Sequence, residues 1–152
     1  MFGATGRNGG FCCLGGSKAS DAYLDQKFGK PERLLYRKAE AVALVSRLLK
    51  TNQIDADRHS DGETLMAHRP KDVDAMMNEK NTIRENYGVD PVFYPKEELL
   101  QHGFGGQFHA AMTTPIGFAL NPRKYADGLL DAAMGYGLKV YGHSPVIKIK
   151  KN

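Results

Sequence analysis

Cysteine is almost absent from this sequence: Cys12 and Cys13 are the two thiols, and they are neighbours. Adjacent residues rarely reach disulfide geometry, and no third cysteine offers a partner, so a disulfide-stapled fold is excluded. This usage suits a reducing, cytoplasmic setting. Two cysteines without a nearby histidine also make a poor zinc site. Long apolar runs are missing too. No stretch approaches the ~18 consecutive apolar residues of a membrane-spanning helix. No basic segment leads into an apolar run near the start, so neither a membrane span nor a signal peptide is expected.

The common catalytic signatures are missing as well. No Gly-x-Gly-x-x-Gly turn follows a strand, and no Gly-Lys-Ser/Thr phosphate loop occurs. Gly103-Phe104-Gly105-Gly106 leads into a strand, not a helix, and reads as a connector. Asp55, Asp57 and Asp61 have the look of a calcium loop, but Ser60 stands at the turn-glycine position and Met66 at the bidentate glutamate position. The histidines at 59, 68, 102, 109 and 143 show no metal-binding spacing, and no nucleophile elbow is present.

What is present is enough apolar residue for one core: 41% of 152 residues, about one domain. The net charge is +4, but the cations are dispersed. Lys148, Lys150 and Lys151 lie near the end, Arg33, Arg37 and Lys38 lie on a helix, and elsewhere acids and bases alternate. That pattern predicts a solvated surface and no nucleic-acid interface.

Six of the first 17 residues are glycine, which predicts a loop whose backbone approaches something closely. Residues 18–28 suit a short helix. Pro31 suits the start of a long one reaching about Lys50, with Leu35, Val42 and Leu49 on one stripe. Asp61-Gly62 predicts a hairpin within 54–69. Pro70 opens a further helix, with Val73, Met76, Met77, Ile83 and Tyr87 inward, closed by Gly88. Residues 95–100 suit a helical turn, and 107–115 a strand ended by Pro115. Asn121 caps a helix with Pro122 in its first turn, and Gly137 closes it. Residues 139–141 and 146–149 are β-rich. The element order predicts a mixed α/β fold.

Two motifs carry more information. The first is Gly3-Ala4-Thr5-Gly6-Arg7-Asn8-Gly9-Gly10. Its glycines let backbone N–H groups approach a phosphate or a ring edge, Arg7 brings charge, and Asn8 both donates and accepts. The second is Gly117-Phe118-Ala119-Leu120-Asn121-Pro122, a helix, Gly137-Leu138-Lys139-Val140-Tyr141, and then Ser144-Pro145-Val146-Ile147-Lys148-Ile149. Together they resemble FAD-dependent oxidoreductases of the D-amino-acid oxidase superfamily, in particular the γ-glutamylputrescine-oxidase-like branch. Thr5 replaces that family's usual serine and keeps the hydroxyl.

The resemblance implies an internal piece of such an enzyme, with part of a Rossmann-like FAD domain and part of a substrate domain. It implies that the N-terminal βαβ unit and the C-terminal part lie outside this sequence, so the chain alone is expected to be inactive. Residues 1–30 would line the flavin, 31–115 would form a partial substrate domain, and 116–152 would return to the FAD domain. Thr5, Gly6, Arg7, Asn8, Gly9 and Gly10 would contact FAD, with Val146 near its adenine end. The substrate would be an amine or amino acid, losing a hydride from its α-carbon to the flavin. No catalytic residue is assigned. Cys12 and Cys13 read as small inert side chains more readily than as redox thiols. The alternative function is a small non-catalytic α/β binding module or remnant.

Overall fold

The computed structural model describes residues 3–15 and 19–150. A 3-10 turn at Ala4–Gly6 precedes β1 (Phe11–Cys12), α1 (Asp21–Phe28), α2 (Lys30–Tyr36) and α3 (Ala39–Thr51). Next come β2 (Glu63–Ala67), α4 (Pro70–Tyr87) and β3 (Val92–Pro95). Short 3-10 turns at Lys96–Glu98 and Leu100–His102 lead to β4 (Ala110–Thr114), β5 (Phe118–Ala119) and α5 (Pro122–Gly135). The fold is mixed α/β, as the element order predicts.

Three antiparallel strands form one sheet in the order β2-β4-β3. Its register pairs Ala67 with Ala110, Leu65 with Met112 and Glu63 with Thr114. Because side chains alternate along a strand, these six residues share one face. Met76 and Ile83 of α4 pack there against Ala67, Ala110 and Met112. Pro70 starts α4, and Gly88 ends it with φ 66°, as the sequence predicts.

The second sheet is small: β1 pairs antiparallel with β5 through Phe11–Ala119 and Cys12–Phe118, and His59 bridges to Ala119. Val42 and Leu49, seven residues apart on α3, bury themselves here with Ala56 and Phe118. Each such side chain contributes roughly 1.5–3 kcal/mol by burial. Ile54, Cys12 and Tyr125 complete the cluster.

Three expectations are corrected, and three short strands are added. The predicted long helix is two, broken at Arg37 and Lys38, where Lys38 is extended. Arg37 reaches back to the Ala19 carbonyl and to Asp21, so α2 is tied to α1 while α3 turns toward Phe118. The predicted hairpin does not form. Residue 59 pairs with β5 and residues 63–67 pair with β4, so Asp61-Gly62 carries the chain from one sheet to the other. Gly62 is required there because a Cβ would stand 2.3 Å from the Thr114 carbonyl oxygen. Strands β1, β3 and β5 are short and carry little periodicity, so only their partners define them. Residues 139–150 form neither helix nor strand. Val146, Ile147 and Ile149 are exposed, because β-rich composition forms no ladder without a neighbouring strand.

Candidate functional site

The glycine-rich motif folds into a self-supporting turn. Asn8 holds it from inside: its Nδ2 donates to the carbonyls of Ala4 (3.3 Å) and Thr5 (2.9 Å), and its Oδ1 accepts from the Gly10 N–H (2.9 Å). Its side chain is therefore committed to the loop, so its role is positioning. Gly6 is buried in the turn, whereas Thr5, Arg7 and Gly9 are exposed. The backbone N–H groups of Asn8 and Gly9 have no acceptor among the described residues. Both residues are exposed and follow Arg7 directly in the turn.

Gly10 joins this turn to the second motif. Its φ is 72°, and its carbonyl accepts from the Leu120 N–H at 2.9 Å. A Cβ at Gly10 would lie 2.1 Å from the Leu120 oxygen. The two motifs, over a hundred residues apart in sequence, thus meet backbone to backbone. Leu120 leads into Asn121, whose Oδ1 accepts from the N–H groups of Arg123 (3.1 Å) and Lys124 (3.2 Å) and caps α5 as expected. Asn121 Nδ2 also donates to Asp57 at 3.1 Å, and Lys124 pairs with the same carboxylate. The Lys124 ammonium, then Asn121, hold Asp57 below the usual carboxylate range.

The remaining expected contact, Val146, lies in the exposed 139–150 stretch, and no hydrogen bond among the described residues joins it to the turn. Cys12 points into the Phe118 cluster. Cys13 is half-buried, and burial, reinforced by Glu63 and Cys12, pushes its thiol up to about 11. A thiol so disposed is a poor nucleophile at neutral pH, in keeping with the inert reading.

A cavity of about 480 Å³ opens beside the segment that follows the turn, between α1, β2 and α4. Asp21, Arg37, Glu63, Glu79 and Tyr87 are part of its polar lining, together with hydroxyl side chains. Arg33, almost wholly buried, clamps Asp21 at 2.7 Å and Asp25 at 2.6 Å, and Arg37 lies 2.8 Å from Asp21. Spacing in the sequence gives no sign of this assembly, because its members come from four elements. Among the described residues no cluster of His, Cys, Asp and Glu is arranged to hold a metal ion. No helix there is long and apolar enough to cross a membrane.

Comparisons with known proteins bear on the family and the fold. The family model described as FAD dependent oxidoreductase (DAO) matches residues 1–152. The probable oxidoreductase OrdL of Haemophilus influenzae is 25% identical over 99% of this chain and 36% of its own length. Glycine oxidase from Bacillus cereus superposes with a TM-score of 0.66 at 12% identity, over 98% of this chain and 38% of that one. Glycine oxidase from Geobacillus kaustophilus gives 0.65 at 20% identity, over 91% and 36%. The chain therefore spans little more than a third of each relative, and it belongs to the family of FAD-dependent oxidoreductases.

Proposed function

We propose that this chain forms part of an enzyme that oxidises the C–N bond of an amine or amino acid, with the Thr5–Gly10 turn lying against FAD. The observation that carries the reading is the exposed Arg7–Gly9 stretch, whose Asn8 and Gly9 amides have no acceptor among the described residues, held in place by the Asn8 side chain and by the Gly10–Leu120 junction. Exposed amides and a guanidinium suit an electron-rich ring edge or a phosphate. Gly9 leaves the approach open, since a Cβ there would meet only the exposed Phe11 ring.

These residues fit a partial contact with FAD. Thr5, Gly6, Arg7, Gly9 and Gly10 would form the turn's cofactor side, with Asn8 shaping it, and Val146 would approach the adenine end. A strand, Gly-x-Gly-x-x-Gly turn and helix, the usual pyrophosphate anchor, is not found among the described residues. When bound, FAD supplies the two-electron acceptor of the reaction. The protein's part is to hold the turn, exclude water and present the substrate sheet.

We assign β2, β3, β4 and α4 to the substrate side, including the Phe108–Pro115 segment. Residues 1–30 and 116–152 belong to the flavin side. Within the intervening 31–115, α3 groups with the flavin side, since Val42 and Leu49 share their core with Phe118. The substrate class covers the γ-glutamylated amine of the branch that the motifs resemble and the glycine named for the two structural neighbours. Because the chain spans about a third of its relatives, we propose that turnover needs a longer protein.

The test is anaerobic mixing of the complete FAD-loaded protein with glycine, with primary amines and with a 2-hydroxy acid. Bleaching of the flavin's visible absorbance by an amine or amino acid is the expected result. Bleaching by the hydroxy acid alone would move the chemistry to a C–O bond. A complete protein that takes up no FAD would return the chain to the small binding-module reading.

A further inference from the structure

Residues 56–59 run beside β5, and their pairing carries one residue too many. The Ala56 carbonyl accepts from the Asn121 N–H at 2.7 Å, and His59 pairs with Ala119 through both backbone groups. Three steps from Ala56 to His59 thus match two from Asn121 to Ala119, which is the geometry of a β-bulge. Asp57 takes up the excess with a φ of 50°. That region suits glycine, and an L-residue there is strained. The Asp55 side chain accepts from the Asp57 N–H at 3.2 Å and helps to hold the bend. Bulges re-aim a side chain, and they gather beside functional sites.

Here the re-aimed side chain is the Asp57 carboxylate. It accepts from Asn121 Nδ2 at 3.1 Å and pairs with the Lys124 ammonium. Both partners belong to the cap and first turn of α5. The gain in folding stability is small. The Asp57 and Lys124 side chains are 49% and 46% exposed, and an ion pair so placed contributes little. What the strained aspartate does provide is a fixed position for the start of α5.

That position matters because the glycine-rich turn rests on α5. The helix packs against the Ala4–Gly6 turn. Leu120, one residue before the cap, donates its N–H to the Gly10 carbonyl at 2.9 Å. Gly10 also lies against the Pro122 ring, where an added Cβ would come within 3.3 Å of Cδ. A side chain that fixes Asn121 therefore fixes the seat of the turn. Small shifts there would move the Asn8 and Gly9 amides together, since the Asn8 side chain ties the turn into one unit.

We propose that Asp57 is a positioning residue for the flavin contact. It holds the capped start of α5 through Asn121, braced by Lys124, and α5 in turn sets the Thr5–Gly10 turn against FAD. Asp57 itself touches neither cofactor nor substrate. The role rests on the reading of that turn as cofactor-binding, and it is read from binding rather than from turnover.

The experiment compares the complete wild-type protein with Asp57→Gly and Asp57→Asn. It measures the FAD dissociation constant, the fine structure of the bound flavin's visible band, and the melting temperature of the apoprotein. Glycine frees the backbone and deletes the carboxylate. Asparagine tolerates positive φ and keeps an acceptor for Asn121. Asp57→Gly weakens FAD binding roughly three- to tenfold, the scale of one lost hydrogen bond, and alters the band. Its melting temperature stays within about 2 °C of wild type, since relieved strain offsets the added freedom of the unfolded chain. Asp57→Asn recovers most of the affinity. Unchanged affinity and band in Asp57→Gly would overturn the proposal. So would a failure of Asp57→Asn to recover, or a loss that merely follows a fallen melting temperature, which would mark Asp57 as structural. Should Asp57→Gly not fold, Asp57→Ser deletes the same carboxylate and decides in its place. A wild-type protein that takes up no FAD would refute the cofactor reading and the role of Asp57 with it, whereas wild-type affinity in Asp57→Gly refutes the role of Asp57 alone.

Discussion

Gly10→Ala should destabilise this protein far more than Gly9→Ala, although the two glycines are neighbours in one motif. Gly10 has a φ of 72°, where an L-residue with a Cβ loses roughly 1–2 kcal/mol. The new Cβ would also sit 2.1 Å from the Leu120 oxygen, which is backbone and has no rotamer by which to escape. The strand junction must open by about an ångström to reach van der Waals distance. Opening it strains the 2.9 Å bond from the Leu120 N–H to the Gly10 carbonyl, and an unmade buried hydrogen bond costs about 1–3 kcal/mol. The reduced entropy of the unfolded chain returns about 0.4–1 kcal/mol. The net loss is about 3 kcal/mol, or a fall in Tm of roughly 6–12 °C for a chain of this size. At Gly9 the Cβ would come within 2.9 Å of the Phe11 ring, but that ring is 80% exposed and can swing away. Gly9→Ala should therefore change stability by less than about 1 kcal/mol. Urea unfolding of the two variants, followed by circular dichroism, makes the comparison. If they differ by less than about 1 kcal/mol, the Gly10–Leu120 junction does not hold the turn as argued.

Three further outcomes are expected. Asn121→Ala removes the cap of α5 and should cost about 1–2 kcal/mol in urea unfolding. Asn121→Asp keeps the cap but sets a second carboxylate against Asp57, so it should recover only part of that loss; full recovery would show that the Asp57 contact is idle. Gly128→Ala drives a Cβ to 2.4 Å from Ile54 Cγ2 and should cost about 1–3 kcal/mol, as overpacking does. In the Ile54→Ala background its cost should shrink, and strict additivity in the double-mutant cycle would contradict the contact. Cys13, with its thiol pushed up to about 11 from 9.0, should react with iodoacetamide at pH 8 roughly a hundredfold more slowly folded than in urea. Because the folded state keeps that proton longer than the unfolded one, its contribution to stability is full below pH 9 and is lost as pH rises toward 11. Equal labelling rates would overturn the burial of that thiol.

Local chemistry was legible wherever one segment sets its own conformation. Pro70 and Gly88 bound α4, Asn121 and Pro122 open α5, and the heptad step from Val42 to Leu49 gives the buried stripe of α3. These signals act within one or two helical turns, so no distant residue is needed to read them. The glycine-rich turn was legible for the same reason, and its resemblance to a family motif carried the cofactor.

Tertiary structure decided whatever depends on a distant partner. Phe11–Cys12 and Phe118–Ala119 are too short to announce strands, and each is one because it meets the other. The periodicity of residues 31–50 continues across Arg37, yet ion pairs to α1 end the helix there. Gly62 has the composition of a hairpin turn and serves a close approach to Thr114 instead. Asp21, Glu63, Glu79 and Tyr87 share a cavity because a strand, two helices and an ion-pair clamp converge on it. The sequence by itself determined the bounds of α4, the capped start of α5 and the turn that marks the family. Folding alone decided which backbones touch and which charges face one another, since both depend on pairs of residues that no local pattern couples.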